Sequence, residues 1–374
     1  MKNDCIWLSP PDMGGSEMKY VQEVFDTNWI APKGPNVNSF ENAIAKYMGN
    51  GVHVAALSSG TAAIHLGLRI LGIEKGDEVL CQSLTFAASA NPITYLGAKP
   101  IFVGSEMDTW NMSPYLLKKA IEDRINNGKK PKVIIAVHLY GMPYKVHEIH
   151  SIAQEYDIPV LEDSAEALGS LYKNVSCGSF GDIGIFSFNG NKIITTSGGG
   201  ALITKNEEYK DKAIFLATQA RDEAPHYLHS EVGYNYRMSN VLAGIGRGQM
   251  QVLDKHVKSR RANFEFYKTH LSSIEGISFL EEPNGFYSNR WLTCVLMPSF
   301  KSREKIRLSL LEHNIESRPI WKPMHEQPVF KECPSYIDGT SSNLFERGLC
   351  LPSGSNLTTE DLEKIIGLII TNLA

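Results

Sequence analysis

Nowhere in the 374-residue sequence do about 18 uncharged apolar residues run together, so no membrane-spanning helix is expected. The amino terminus, MKNDCIWLSPPDMGG, lacks a long apolar core after its basic residue, and no export signal is predicted. Basic clusters are missing as well. The 37 Lys and Arg against 41 Asp and Glu give a formal net charge of -4, and no window collects the stripe of cations that binds nucleic acid or an anionic membrane. The six cysteines (Cys5, Cys81, Cys177, Cys294, Cys333, Cys350) are scattered singly, without the close pairs of a zinc site or a dithiol motif. No metal is expected, and a reduced cytoplasmic setting fits. Internal repeats and low-complexity tracts are absent too, which argues against solenoids and propellers.

What is present is ordinary globular composition, 43% hydrophobic and 21% charged with 31 Gly and 18 Pro, suited to one large domain and a small one. From Val52 to Thr204 short β-branched or apolar runs alternate with helical periodicity, the signature of an α/β fold with a mainly parallel sheet. The predicted strands are Val52 to Leu57, Glu78 to Cys81, Pro100 to Val103, Lys132 to Val137, Ile158 to Leu161, Ile183 to Ser187 and Ala201 to Thr204. After Asn240, apolar residues from Leu242 to Leu271 recur at near-helical spacing, which reads as one long helix. Short strands around Ile277 to Leu280, Trp291 to Met297 and Ile315 to Ile320, with helices over Ser302 to His313 and Thr359 to Leu373, then suggest a small α+β domain. The expected organisation is therefore an amino-terminal segment, 1–20, packing on the small domain; a large domain, 21–240; and the long helix with the small domain, 241–374.

Four stretches carry chemistry. Lys192 closes the run Phe186-Ser187-Phe188-Asn189-Gly190-Asn191-Lys192, after the strand that ends at Ser187, and precedes Gly198-Gly199-Gly200, where neither a core residue nor a solvated charge is expected. A loop lysine before a glycine hairpin is the plain alternative, and Lys192 alone does not decide between them. Asp163, after Ile158 to Leu161, would point into the crevice beyond the carboxyl ends of parallel strands. A carboxylate there could keep the pyridine nitrogen of pyridoxal phosphate protonated, although capping a helix is equally open. Ser58-Ser59-Gly60-Thr61-Ala62 joins a strand to a helix whose first turn could cradle a phosphate. Phe86, again just after a strand, could lie flat on a cofactor ring.

Taken in this order, with Gly233-Tyr234-Asn235-Tyr236-Arg237, these stretches resemble the DegT/DnrJ-type nucleotide-sugar aminotransferases over essentially the whole length. The resemblance implies a fold-type I architecture, a large mainly parallel mixed-sheet domain binding pyridoxal 5′-phosphate and a smaller carboxyl-terminal α+β domain. It implies that Lys192 carries the cofactor covalently, Asp163 partners the pyridine nitrogen and Phe86 stacks on the ring. Gly60, Thr61, Ala62 and Ser187 would hold the phosphate, with Asn235 reaching across from a second subunit of a homodimer with shared sites. Glu166 stands beside the ring where the family usually has Gln or His, and as an anion it would need a compensating donor. Asn189, Arg237, Arg318, Trp321 and His325 are the candidates for the nucleotide sugar; an arginine and an aromatic suit a diphosphate and a base. L-glutamate is the expected amino donor. The run Phe188 to Gly200 with Glu166 looks most like the branch that aminates C4 of UDP-linked 4-keto-6-deoxy-N-acetylhexosamines, the UDP-N-acetylbacillosamine transaminases. A C3-aminotransferase acting on a dTDP-keto sugar, or a non-enzymatic pyridoxal phosphate sensor, are the alternatives. A sugar dehydratase of the same fold would carry His in place of Lys192. A P-loop fails on spacing, because Asn191 intervenes between Gly190 and Lys192 and Ile193 follows.

Overall fold

The computed structural model describes residues 5–49 and 51–373. Its centre is an eight-stranded sheet. Seven strands fall where hydrophobic patterning predicts them: β1 His53–Leu57, β2 Glu78–Gln82, β3 Lys99–Val103, β4 Val133–Val137, β5 Val160–Asp163, β6 Ile183–Ser187 and β7 Gly200–Thr204. The eighth, β8 Ser335–Tyr336, returns from the carboxyl-terminal third of the chain to pair with β3. The order is β1-β7-β6-β5-β4-β2-β3-β8. All neighbours are parallel except those of β7, which runs antiparallel to β1 and β6.

The reversed strand matters for the site. In its register Gly200 lies opposite both Leu57 and Ser187, so the first residue of β7 joins the last residues of β1 and β6. Val137 pairs with Asp163 on the neighbouring strands. Five strands therefore present Leu57, Gly200, Ser187, Asp163 and Val137 along one edge, the place where open α/β sheets bind ligands.

Both faces of the sheet are covered, and alternate residues of each strand go to opposite faces. Ala55, Leu57, Cys81, Ile135, Leu161, Ile185 and Leu202 pack under the helices Gly60–Ile70, Ala87–Tyr95 and Glu207–Ala217. On the other face Val54, Ala56, Phe186 and Ile203 meet the helix Pro35–Met48, while Leu80, Ile101, Ile134 and Val160 meet Pro114–Asn126 and Val146–Glu155.

One expectation is corrected. The periodic stretch after Asn240 is two helices, Asn240–Met250 and Leu253–Leu271, separated by a turn at Gln251 and Val252. The two halves have different packing partners. Gly244 and Gly248 let the first lie directly on the backbone of Tyr20 and Glu17, in the helix Glu17–Asp26. The second buries Tyr267 and Leu271 in the core of the small domain.

The small domain is a four-stranded antiparallel sheet in the order Ser278–Phe279, Thr293–Leu296, Gly348–Leu351, Arg318–Pro319. Helices Phe300–Glu312 and Thr359–Leu373 cover it. A separate apolar cluster joins it to the large domain: Leu84, Trp110, Leu139 and Tyr140 pack against Trp291, Leu292, Ile320 and Cys350. Residues 1–4 of the amino-terminal segment lie outside the described residues. Further on, Ile6 bridges to Ile315 and the Leu8 carbonyl accepts from the Ser353 N–H.

Candidate active site

A cavity of about 560 Å3 opens where the sheet edge faces the small domain, and it is lined by Gly60, Thr61, Phe86, Asp163, Glu166, Ser187, Asn189, Lys192, Arg318 and Trp321 among others. Residues far apart in sequence, from both domains, thus reach one space.

Lys192 lies in the loop between β6 and β7, and the backbone before it is clamped. The Asn191 carbonyl accepts from the Ser9 hydroxyl and from the Trp291 indole N–H, each at 2.7 Å. The Lys192 Nζ stands 3.1 Å from Glu166 Oε1 and 4.1 Å from the centroid of the Trp291 ring. Its side chain is only 11% exposed. This is a held amine, unlike a surface lysine.

Asp163 ends β5 and is buried. The Ser89 hydroxyl donates to its Oδ2 at 2.5 Å and the Ala165 N–H donates to Oδ1 at 3.2 Å; Ser89 is itself within 2.6 Å of the Thr85 hydroxyl. The carboxylate is thereby fixed in direction toward the cavity. Phe86, at the start of the helix Ala87–Tyr95, is 56% exposed and forms part of the wall. Its ring centroid lies 5.5 Å from that of Trp321, which packs on Tyr140 at 4.9 Å.

The helix Gly60–Ile70 begins at the cavity. A Cβ on Gly60 would stand 3.0 Å from Ser187 Cβ, and one on Gly200 would fall 2.3 Å from the Ser59 carbonyl carbon. Glycine at these two positions allows strand and helix to close into an anion cradle, with the first-turn N–H groups and the Ser187 hydroxyl around it. Ala62 differs from expectation: its N–H donates to the Ser59 hydroxyl at 3.0 Å, which caps the helix, and it is not part of the cavity lining.

Glu166 is 4% exposed. Its Oε2 accepts from the Tyr140 N–H at 2.7 Å, while Oε1 faces Lys192. Burial pushes this carboxyl up to about 7, against the pull of Lys192 and the Tyr140 N–H.

The substrate candidates divide. Arg318, whose guanidinium is 69% exposed and paired with Glu316 at 2.7 Å, lines the cavity together with Asn189 and Trp321. Arg237 does not. Its guanidinium is bound to Glu41 at 2.5 Å and to the Ala56 carbonyl at 2.8 Å, so this arginine ties β1 to the helix Pro35–Met48. His325 also points elsewhere, its Nδ1 lying 2.6 Å from the Ser83 hydroxyl beneath the loop that carries Phe86. Asn235 is exposed and lies outside the cavity lining of its own chain. Sequence reasoning missed Trp291, Tyr140 and Ser89, for which the sequence carries no distinguishing signal.

A fixed carboxylate, an amine and an anion cradle on one sheet edge fit pyridoxal 5′-phosphate, one group each for its ring nitrogen, aldehyde carbon and phosphate. Together with the reversed strand beside a mostly parallel sheet, they define a fold-type I pyridoxal phosphate enzyme.

Residues 11–370 match the DegT/DnrJ/EryC1/StrS aminotransferase family. The chain is 52% identical over 369 residues to the "Putative pyridoxal phosphate-dependent aminotransferase EpsN" of Bacillus subtilis (strain 168), covering 98% of this chain and 95% of that one. It is 38% identical to the GDP-perosamine synthase of Escherichia coli O157:H7, with 94% of each chain covered. A crystal structure of a DegT DnrJ EryC1 StrS aminotransferase from Brucella abortus superimposes with a TM-score of 0.89 at 29% identity, over 95% of each chain. The chain belongs to the DegT/DnrJ/EryC1/StrS aminotransferase family, whose enzymes depend on pyridoxal phosphate.

Proposed function

We propose that this aminotransferase moves an amino group from L-glutamate to the C4 keto group of a UDP-linked 4-keto-6-deoxy-N-acetylhexosamine. The observation that carries the general reading is the single cavity in which Lys192 and Asp163 face Arg318 and Trp321 from the other domain. Bound pyridoxal phosphate supplies an electron sink that makes the proton on the amine-bearing carbon removable. Lys192 is the residue placed to take that proton and to return it carbon to carbon. Asp163, held by Ser89 and Ala165, would partner the ring nitrogen, and the Gly60 helix start with Ser187 would hold the phosphate. The exposed charge of Arg318 suits a diphosphate, and Trp321 offers a flat apolar face to a sugar or base. Anchoring the nucleotide in this way decides which ring carbon reaches the lysine.

The finer assignment rests on the run from Phe188 to Gly200 together with Glu166. A second reading, a GDP-linked keto sugar, is favoured by the likeness to three GDP-perosamine synthases at 33–38% identity. One experiment separates the possibilities: keto sugars linked to UDP, GDP and dTDP are incubated with holoenzyme and glutamate, and products are read by mass. Preferred turnover of the UDP 4-keto N-acetyl sugar supports the first reading; a higher kcat/KM for the GDP sugar replaces it with the second. Borohydride reduction of the holoenzyme should fix the cofactor on the Lys192 peptide, and label found elsewhere would refute the lysine assignment under either reading.

A further inference from the structure

Lys192 is flanked by two groups that no general requirement of the cofactor explains. Glu166 Oε1 lies 3.1 Å from the amine, and the Trp291 ring face lies 4.1 Å from it. Both are rigid. Glu166 is pinned through Oε2 by the Tyr140 N–H, and through its backbone carbonyl by the Asn289 side-chain amide at 2.8 Å. Trp291 is 2% exposed, and its indole N–H is spent on the Asn191 carbonyl at 2.7 Å. An anion on one side and an aromatic face on the other make a seat for an ammonium group.

We propose that Glu166 is the proton acceptor for the free lysine: an ammonium on Lys192 seats between Glu166 and Trp291 and passes one proton to the Glu166 carboxylate. The N–H bond breaks, the O–H bond forms, and a neutral amine and a neutral carboxyl result, with no change in total charge. The lysine is then ready to act as a base, and Glu166 returns the proton when the ammonium is needed again. The assignment rests on Lys192 being the reacting amine. A glutamine at this position could hold the lysine but could not take its proton.

The surroundings favour such an exchange. Burial is the largest influence on Glu166 and brings its carboxyl to about 7, where both protonation states are accessible near neutral pH. The charged and titratable groups facing it are Lys192 and Asp163 in the cavity, with Tyr140 and Cys294 behind. Asp163 pushes the carboxyl up and Lys192 pulls it down. Trp291 has a different part: its ring steadies the ammonium and exchanges no proton.

The test uses apoenzyme, so that it does not depend on turnover. Reductive methylation by formaldehyde and cyanoborohydride is followed on the Lys192 peptide by mass across neutral pH. Glu166→Gln should change the methylation rate of Lys192 several-fold or more, because the amine loses the carboxylate 3.1 Å away with which it exchanges its proton. Glutamine keeps an oxygen for the Tyr140 N–H, so the fold should survive. Trp291→Leu should change the rate by a few-fold, and Trp291→Phe by less. Equal methylation rates in wild type and Glu166→Gln overturn the proposal. A second readout is the infrared carbonyl band of a protonated carboxyl, expected in wild type to titrate near pH 7 and to be lost in Glu166→Gln; its absence from wild type below that pH also overturns it. Cofactor fixed by borohydride on Lys192 in both proteins, with unchanged methylation, would reject the role of Glu166 alone, whereas label on another residue would reject the lysine reading beneath it.

Discussion

Two arginines that look equivalent in the sequence have opposite commitments, and the difference is which acceptors reach them. Arg237 donates to Glu41 and the Ala56 carbonyl, in a pair whose side chains are 9% and 12% exposed. Arg318 faces the cavity at 69% exposure. Arg237→Ala should therefore destabilise the fold by about 3 kcal/mol, because Glu41 is left buried without its cation, a loss measurable by urea unfolding. Arg318→Ala should leave stability within about 0.5 kcal/mol and raise KM for the nucleotide sugar by roughly tenfold or more, with kcat much less affected. A kcat loss with unchanged KM would remove Arg318 from the substrate anchor. Glu166 gives a pH prediction of its own. Its folded-state carboxyl sits at about 7 against an ordinary 4.5, so its contribution to stability is fully present below the ordinary value and is lost as pH rises through about 7. The loss amounts to at most roughly 3 kcal/mol. Apoenzyme melting temperature should fall between about pH 5 and 8 more steeply in wild type than in Glu166→Gln, and equal slopes would contradict the raised carboxyl. Arg318's partner, Glu316, is its neighbour in the sequence, whereas Arg237's was not visible beforehand. Glu41 and Arg237 are brought together only when β1 lies between the segments that carry them.

Elements depend on close approach as much as on periodicity. Gly200 begins β7 against the start of the helix Gly60–Ile70, and a Cβ there would meet three backbone atoms, the Ser59 carbonyl carbon at 2.3 Å and the Gly60 nitrogen and Ser59 oxygen at 2.4 Å. Backbone cannot rotate away as a side-chain tip can. Gly200→Ala should cost roughly 3 kcal/mol and weaken cofactor retention in dialysis, because the strand and the phosphate cradle are forced apart together. Unchanged retention would separate the glycine from the cradle. The triple glycine was legible in the sequence as a special place; its reason, strand against helix start, was not. The seven main strands were legible to within two residues at nearly every end, because each is a buried run bounded by turn residues. β8 was not, since Ser335–Tyr336 has no pattern of its own and exists through its pairing with Phe102 and Val103. The break at Gln251 and Val252 was missed for a related reason: apolar spacing continues across it, and only the change of packing partner shows that the axis turns. In the site, residues that follow strand ends were legible because topology places them at one edge. Trp291 and Tyr140 were not, because an aromatic in an apolar run reads as core until the small domain is laid over the large one.

The whole molecule brings one chain's contribution to the cavity from both domains, yet Asn235 stays exposed and outside it. The loop that holds it is anchored to its own chain by backbone bonds: the Gln219 N–H donates to the Tyr234 carbonyl, and the Tyr234 and Tyr236 N–H groups donate to Leu216 and Ala217. That leaves the amide free to face a second copy, as the resemblance of Gly233 to Arg237 implies for a homodimer with shared sites. The prediction is complementation between two damaged chains. Lys192→Ala lacks the reacting amine, and Asn235→Asp sets a carboxylate against a phosphate dianion, which opposes cofactor binding while scarcely changing side-chain volume. In a hybrid, the site built on the intact Lys192 receives Asn235 from its partner and is complete, while the other site carries both lesions. With random exchange half the dimers are hybrids and each has one good site of two, so about a quarter of wild-type activity should return on mixing. Sedimentation must first show a dimer and mass-tagged chains must show exchange. With both in hand, failure to recover activity would place Asn235 outside the partner's site, and full activity in a monomer would remove the shared site altogether.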